Sequence, residues 1–432
     1  MRLRARILLV NVLAIACLSA CGDDAGGGPD GGGSGGDGAA TIDGRGAGDA
    51  PDVPGGSACD PLPAATGATA VSPADDLAQL VYDAAPGTTF VLADGTYALS
   101  ATLQVHAAGV TLRSASGDPT AVVLDGGYTV NEVIAITADD VTIAELTVTR
   151  AVDHPIHISP AAGADLLRPR LYRLRLIDGG EQFLKVNLNA DQVGRPIEGR
   201  VECSLFVMTD AGRPHVERDP GGCYTGGLDA HGAVDWVVAR NRFEGIYCET
   251  EGLAEHAVHF WTGSSGMVVE QNVIVDCARG IGFGLGNDLA RGTTGGLIRN
   301  NVVWTDLAAY DTGIGLEHAA GAKVLHNTVI SSDAHPGYTS IDLRFATTDA
   351  EVVNNLVRNI VVREGAAPSI SAANLEAAPS SLFVSGDPGE AHLAAAASQA
   401  IDQGVADADA GFDLDGEPHT AGAAPDLGAD ER

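Results

Sequence analysis

Aromatic residues make up only 5% of this 432-residue chain, and lysine occurs twice, at Lys185 and Lys323. A core so poor in rings has to be built from Val, Ile, Leu and Ala. Basic charge is equally scarce, with 25 Lys and Arg against 57 Asp and Glu and a formal net charge of −32. That balance excludes binding a nucleic-acid backbone by counterion release, which needs clustered cations. Beyond residue 20 no apolar run is long enough to span a bilayer. Global disorder is excluded as well, because 45% of the residues are hydrophobic. The length would fit about three domains at roughly 150 residues each, although single β architectures run past 200.

The N-terminus reads as an export signal. Arg2, Arg4 and Arg6 precede an apolar stretch from Ile7 to Cys17, and Leu18-Ser19-Ala20-Cys21 supplies small residues directly before a cysteine. This segment resembles a bacterial lipobox. The resemblance implies removal of residues 1–20 and a diacylglycerol on the Cys21 sulfur, so that a lipid bilayer is a partner; a plain secretory signal with an incidental cysteine is the alternative. Residues 21–57 are then a tether, rich in Gly and Asp and unable to bury enough surface to offset ordering. The expected location is extracytoplasmic, anchored to a membrane. Disulfides are permitted there. Of the later cysteines, Cys203 with Cys223 and Cys248 with Cys277 are the favoured pairs, and Cys59 is left over.

The rest of the chain repeats. Val238-Ala239-Arg240-Asn241 has counterparts ending at Asn272, Asn301, Asn327 and Asn355, at spacings of 31, 29, 26 and 28. An apolar residue stands two places after each Asn: Phe243, Ile274, Val303, Val329 and Val357. Ile143, Leu146 and Val148, then Leu171, Leu174 and Leu176, keep the frame earlier without Asn. A period near 28, short β-rich pieces and no amphipathic helix mark a solenoid whose turns stack about 4.8 Å apart as parallel strands. Leucine-rich repeats are set aside because their helical convex side is missing. Asn at a fixed place in successive turns suits a hydrogen-bonded ladder. With these residues the chain resembles the superfamily of right-handed parallel β-helices that includes pectate, alginate and chondroitin lyases.

The resemblance implies an all-β coil over residues 58–375. Asp75 to Ala85, ended by Pro86-Gly87, reads as a short helix covering its first open edge. The end of the chain, with Ser398 to Asp402, Asp413 to Glu417 and Pro425 to Gly428, resembles choice-of-anchor Q proteins, and residues 376–432 are expected to form a C-terminal cap. Asp407, Asp409, Asp413 and Asp415, with Gly416 at a turn, gather hard oxygen ligands of the kind calcium takes; a solvated acidic turn is the other reading.

Chemistry is expected on one strand of each turn. With Ile156, Leu184, Leu228, Val258, Ile281, Ile314 and Ile341 facing inward, alternation turns the next residues outward. That column is His157, Lys185, Asp229, His259, Gly282, Gly315, Asp342. Two places on, it is Ser159, Asn187, His231, Trp261, Gly284, Glu317, Arg344. A ring plane, fixed polar groups and a glycine floor are what a sugar needs, so Asp229, Trp261, Glu317 and Asp342 are candidate contacts for a polysaccharide. An ordinary polar β-face with one exposed Trp is the competing reading.

Lyases of this superfamily work on such a face. Eliminative cleavage needs a base for the proton beside a uronate carboxylate, a positive partner for that carboxylate and an acid for the leaving oxygen. Lys185, His231 or His259 is the base, and Arg344 or calcium the partner. Asn241 through Glu244, Glu249, Glu251 and Glu255 to His259 resembles the calcium-binding stretch of alginate and chondroitin lyases, but this chain has His259 and Trp261 near the expected lysine and GIGFGLG at residues 280–286 in place of the arginine. A hydrolase using Asp229 with Glu317 or Asp342 is a weaker alternative. A monomeric, non-catalytic binder or structural protein on the same scaffold is the other class.

Overall fold

The computed structural model describes residues 59–216, 218–219, 222–249, 252–331 and 338–432. The signal at 1–20, Cys21, the tether at 21–57 and Glu251 lie outside the described residues. Within them the chain winds into a parallel β-helix whose turns each lay down short strands in three sheets of 12, 10 and 10 strands, every pairing in them parallel. One helix, Leu77–Tyr82, precedes the first strand of the third sheet, Leu103–Val105, and packs on it. Asp76 caps it by accepting from the Gln79 amide, and Leu77 and Val81 are its buried face.

Stacking is what makes the core. Ile156, Leu184, Leu228, Val258, Ile281, Ile314 and Ile341 pair with one another in that order along the third sheet, and all are fully buried. In the first sheet Ile143, Leu171, Val201, Val238, Val269, Ile298, Val324 and Val352 do the same. A single turn exposes both faces of these residues. Neighbouring turns remove them from water, each side chain contributing roughly 1.5–3 kcal/mol.

The asparagine repeat sits at the bend between the first and second sheets. The residue before each Asn lies in the left-handed region: Arg240, Gln271, Asn300, His326 and Asn354 have φ between 53° and 59°. That conformation turns the chain sharply and costs a non-glycine residue steric energy. The ladder offsets the cost. Asn301 Oδ1 accepts from the Asn272 amide and Nδ2 at 3.0 and 2.9 Å, while Asn301 Nδ2 donates to Val269 O and to Asn327 Oδ1. The same bonds run from Asn241 to Asn355. Two further rungs escape the repeat: the Ser204 amide donates to Asn241 Oδ1, and Asn374 receives the Asn355 amide only 19 positions on.

Three expectations are corrected. The disulfides are Cys59–Cys203 and Cys223–Cys248, and Cys277 is a buried thiol. Cys203 stands at a left-handed bend where the segment from Cys59 to Leu62 packs on Ala144 and Tyr172, so its partner comes from the start of the coil. Cys223 lies in an insertion whose near neighbour is Cys248, with Cα atoms 6.1 Å apart. Second, the segment after residue 376 does not cross the last strands. It folds back on the flank, where Leu382, Phe383, Leu393 and Leu427 pack on Val302, Ile330 and Leu356 of the second sheet. Last-turn residues Val362 and Ile370 remain 43% and 42% exposed.

Third, the four aspartates expected around calcium do not converge. Asp409 and Asp407 face Lys323 at 2.9 and 4.0 Å. Asp413 is fully buried, and its two oxygens accept the amides of Asp415, Glu417 and Glu431. Asp415 pairs with His392. A carboxylate already saturated by backbone N–H groups or an ammonium has little left to offer a cation.

Candidate functional site

The third sheet carries both expected columns. Its register aligns His157, Lys185, Asp229, His259, Gly282, Gly315 and Asp342 across successive turns, and pairs His231 with Trp261 and Glu317 with Arg344. These side chains leave the core on one face. They do not line an open groove, however: Lys185, Asp229, His259 and Asp342 are 7%, 4%, 1% and 6% exposed.

Asp229 is the hub of the upstream half. Its carboxylate accepts from the Lys185 ammonium and, at 2.8 Å, from the Trp261 indole N–H. His259 Nδ1 is 3.2 Å from Oδ1, and His231 Nε2 is 3.4 Å from Oδ2. Burial opposes its charge, yet Lys185 and the bonds from His231 and His259 outweigh burial and hold the carboxyl well below the usual range. Lys185 is likewise raised against its own burial by Asp229, with Tyr224 Oη at 3.4 Å as a second neighbour. His259 is raised too. Burial disfavours its charge, but the Asp229 carboxylate near Nδ1 and the Gly284 carbonyl, 3.0 Å from Nε2, favour it.

Two imidazoles go the other way. His231 is lowered by burial more than Asp229 raises it, and its Nδ1 lies 3.2 Å from Thr262 Oγ1. His256 is pushed well below the ordinary histidine value by burial and by His259. Lys185 is tied to Asp229, and the two nitrogens of His259 face the Asp229 carboxylate and the Gly284 carbonyl. His231 turns Nε2 toward Asp229, 3.4 Å away, and Nδ1 toward Thr262 Oγ1. The half-exposed Trp261 ring has His231 at 4.2 Å between centroids, His259 stacked on it at 5.4 Å and the guanidinium of Arg291 5.6 Å away.

The glycine floor is occupied by His256, which the sequence reading missed. A Cβ on Gly282 would meet its Nε2 at 2.6 Å. Strict alternation from Val258 would turn His256 inward, but Ala257 and Val258 are both fully buried, so the pleat breaks there and His256 emerges on the outer face.

Downstream of the glycines lies a separate ion-pair cluster. Arg344 is shared by Glu317 and Glu364, and Asp342 accepts from Arg363. Burial raises Asp342 even so. Three turns, about 14 Å, separate Arg344 from Trp261, so one sugar ring cannot contact both. Four turns, about 19 Å, separate Asp229 from Asp342, and three separate Asp229 from Glu317. Paired glycosidase carboxylates sit within about 10 Å of each other, so neither Asp229 pairing of the hydrolase alternative meets that spacing.

No family model and no curated protein matches the chain. Solved structures do. The crystal structure of pectate lyase Pel9A aligns with 85% of this chain and 98% of its own, at 16% identity and a TM-score of 0.57. An alginate lyase from Paenibacillus sp. str. FPU-7 aligns over 71% of this chain and 98% of its own at 15% identity and a TM-score of 0.40. A mannuronic acid specific family 6 polysaccharide lyase from human gut microbiota covers 70% and 82% at 14% identity and 0.40. At such identities the likeness to Pel9A speaks to the backbone alone, and on that ground the chain has the right-handed parallel β-helix fold.

Proposed function

We propose that this protein binds a uronate-containing polysaccharide on the outer face of the third sheet and cleaves it by β-elimination. The observation that carries the reading is the half-exposed Trp261 plate, fixed through its N–H by Asp229 and flanked by His231, His259 and the cations Lys185 and Arg291. A sugar ring stacks on the indole. Its carboxylate is drawn by the local positive charge in an otherwise acidic protein. His231 Nδ1 takes the proton beside that carboxylate; the bond to the leaving oxygen breaks as the ring double bond forms, and the oxygen acquires a proton. Arg344 serves a neighbouring sugar unit rather than the reacting one. The structures similar in fold include lyases of pectate and alginate, which agrees with this substrate class.

A binder without catalysis is the second reading, favoured by the burial of Lys185 and His259. Screening a glycan panel for new ultraviolet absorbance from unsaturated uronate decides between them. Absorbance that His231→Ala removes supports the lyase; glycan binding that Trp261→Ala weakens, with no absorbance on any uronate polymer, supports the binder. Action outside the cytoplasm on a lipid anchor is included in the proposal, supported by Leu18 to Cys21 ahead of the tether. Cys21→Ser releases the protein from the membrane fraction if that holds.

A further inference from the structure

Glu255, His256 and His259 come from one strand and its approach, yet each brings a ligand atom to within 4.8 Å of the other two. The break in the pleat at Ala257 causes this. It puts His256 and His259 on the same outer face, with ring centroids 4.5 Å apart, where regular alternation would send them to opposite faces. We propose that these three residues form a binding site for a divalent transition-metal ion of the zinc type.

The second observation is the state of His256. Its Nδ1 is wholly buried with no hydrogen-bond partner, in a residue that is only 7% exposed. Buried imidazole nitrogens are ordinarily bonded, and an orphan costs about 1–3 kcal/mol. The space the ring fills exists through Gly282, where a Cβ would stand 2.6 Å from its Nε2. The fold keeps room for an imidazole and leaves its nitrogen unused. Asp229 beside His259 Nδ1 is placed as the outer carboxylate that commonly orients a metal-bound histidine, and Nε2 would exchange its contact with the Gly284 carbonyl for the ion, giving up its proton.

The donor set selects the ion. Two imidazoles and one carboxylate match zinc-type sites, which take three protein ligands and keep a fourth position open. Calcium and magnesium prefer six or more oxygens and gain little from nitrogen. Arg279 Nη1 lies 4.0 Å from Glu255 Oε2 and would share that carboxylate with the ion. The inference does not depend on the glycan reading, since it concerns binding of the metal alone.

The test is calorimetry of the full chain with zinc chloride, with calcium chloride as the comparison ion and cobalt(II) as a spectroscopic probe. A second cluster, His392 with Asp415 and Asp430, also lies within metal reach, so His392→Ala is the control. One equivalent of zinc binding to the wild type and to His392→Ala, weakened at least tenfold by Glu255→Gln and by Gly282→Ala, and unaffected by calcium, supports the site. Gly282→Ala keeps every ligand and only displaces the His256 ring, and Glu255 is partly exposed, so both variants test the site without emptying the core. Visible absorption typical of tetrahedral cobalt that disappears in His256→Gln supports it further. No zinc uptake overturns the proposal, as does uptake that survives Glu255→Gln and Gly282→Ala, or uptake lost in His392→Ala.

Discussion

Lys185 and Asp229 are 44 positions apart in the chain, yet one step of the coil sets them side by side, and the ammonium of the first donates to the carboxylate of the second. The pair is almost sealed from water. Removing one partner strands the other, which is costlier than the pair is stabilising.

Asp229→Ala is therefore expected to destabilise the fold by roughly 3–5 kcal/mol, the cost of leaving a buried charge uncompensated. Lys185→Met combined with Asp229→Leu should recover most of that loss, because the double change removes both charges together. Urea denaturation of the three proteins measures it, and a single Asp229→Ala protein as stable as the wild type would refute the hub assignment.

The Cys59–Cys203 bridge closes a loop of 144 positions and Cys223–Cys248 one of 25. Loop-closure entropy assigns them about 5 and 3 kcal/mol respectively. Cys59→Ser should lower the melting temperature more than Cys223→Ser does. Non-reducing peptide mapping should find these two linkages, and Cys277 should resist alkylation until the protein unfolds, because burial pushes its thiol far up and hides it. A Cys203–Cys223 peptide would contradict the structure.

Asn301→Ala should cost about 3 kcal/mol, since it leaves the buried Asn272 amide and Val269 carbonyl without partners. Asn301→Asp is the sharper variant: it retains the acceptor but loses the donor and brings a charge into the ladder. Both should unfold at lower denaturant than an Asn374→Ala protein, whose site is only partly buried.

Asp430 gives the fold a pH signature. Burial raises its carboxyl from the ordinary 3.8 to about 6, against the bond it accepts from the Leu393 amide. Protonation is thus favoured in the folded state, so the contribution is whole below about pH 3.8 and is lost as pH rises through about 6. Asp430→Asn keeps an acceptor for Leu393 and should make stability less dependent on pH across that window, by roughly 1–2 kcal/mol once screening is allowed for. Thermal melts between those two pH values check it; parallel wild-type and variant curves would refute it.

Much of the coil was legible in the sequence because stacking repeats one decision many times. A parity choice at Ile156 is tested again at Leu184, Leu228, Val258 and each later turn, and a slip by one residue would expose every one of them. The Asn ladder was legible for the same reason. The breaks in the pattern were not. His256 emerges because two successive residues turn inward, which no alternation rule foresees. The disulfides depend on an insertion near Cys223 and on a segment crossing the first sheet. The flanking course of residues 376–432 depends on surfaces such as Val302 and Ile330 that face away from the core. Burial of the polar column was not legible either, because it arises from side chains such as Tyr224 and His256 that reach across turns.

The bridge from Cys59 to Cys203 also has a mechanical meaning. Any pull carried by the chain ahead of residue 59 passes through a covalent bond into the middle of the coil, at the bend before Ser204, and does not peel the first strand at Thr69–Val71 from its neighbour. The opening turns hang in a closed loop outside the line of force. Reducing that one bond moves the load to the end of the sheet, where hydrogen bonds break singly, as the teeth of a zip do.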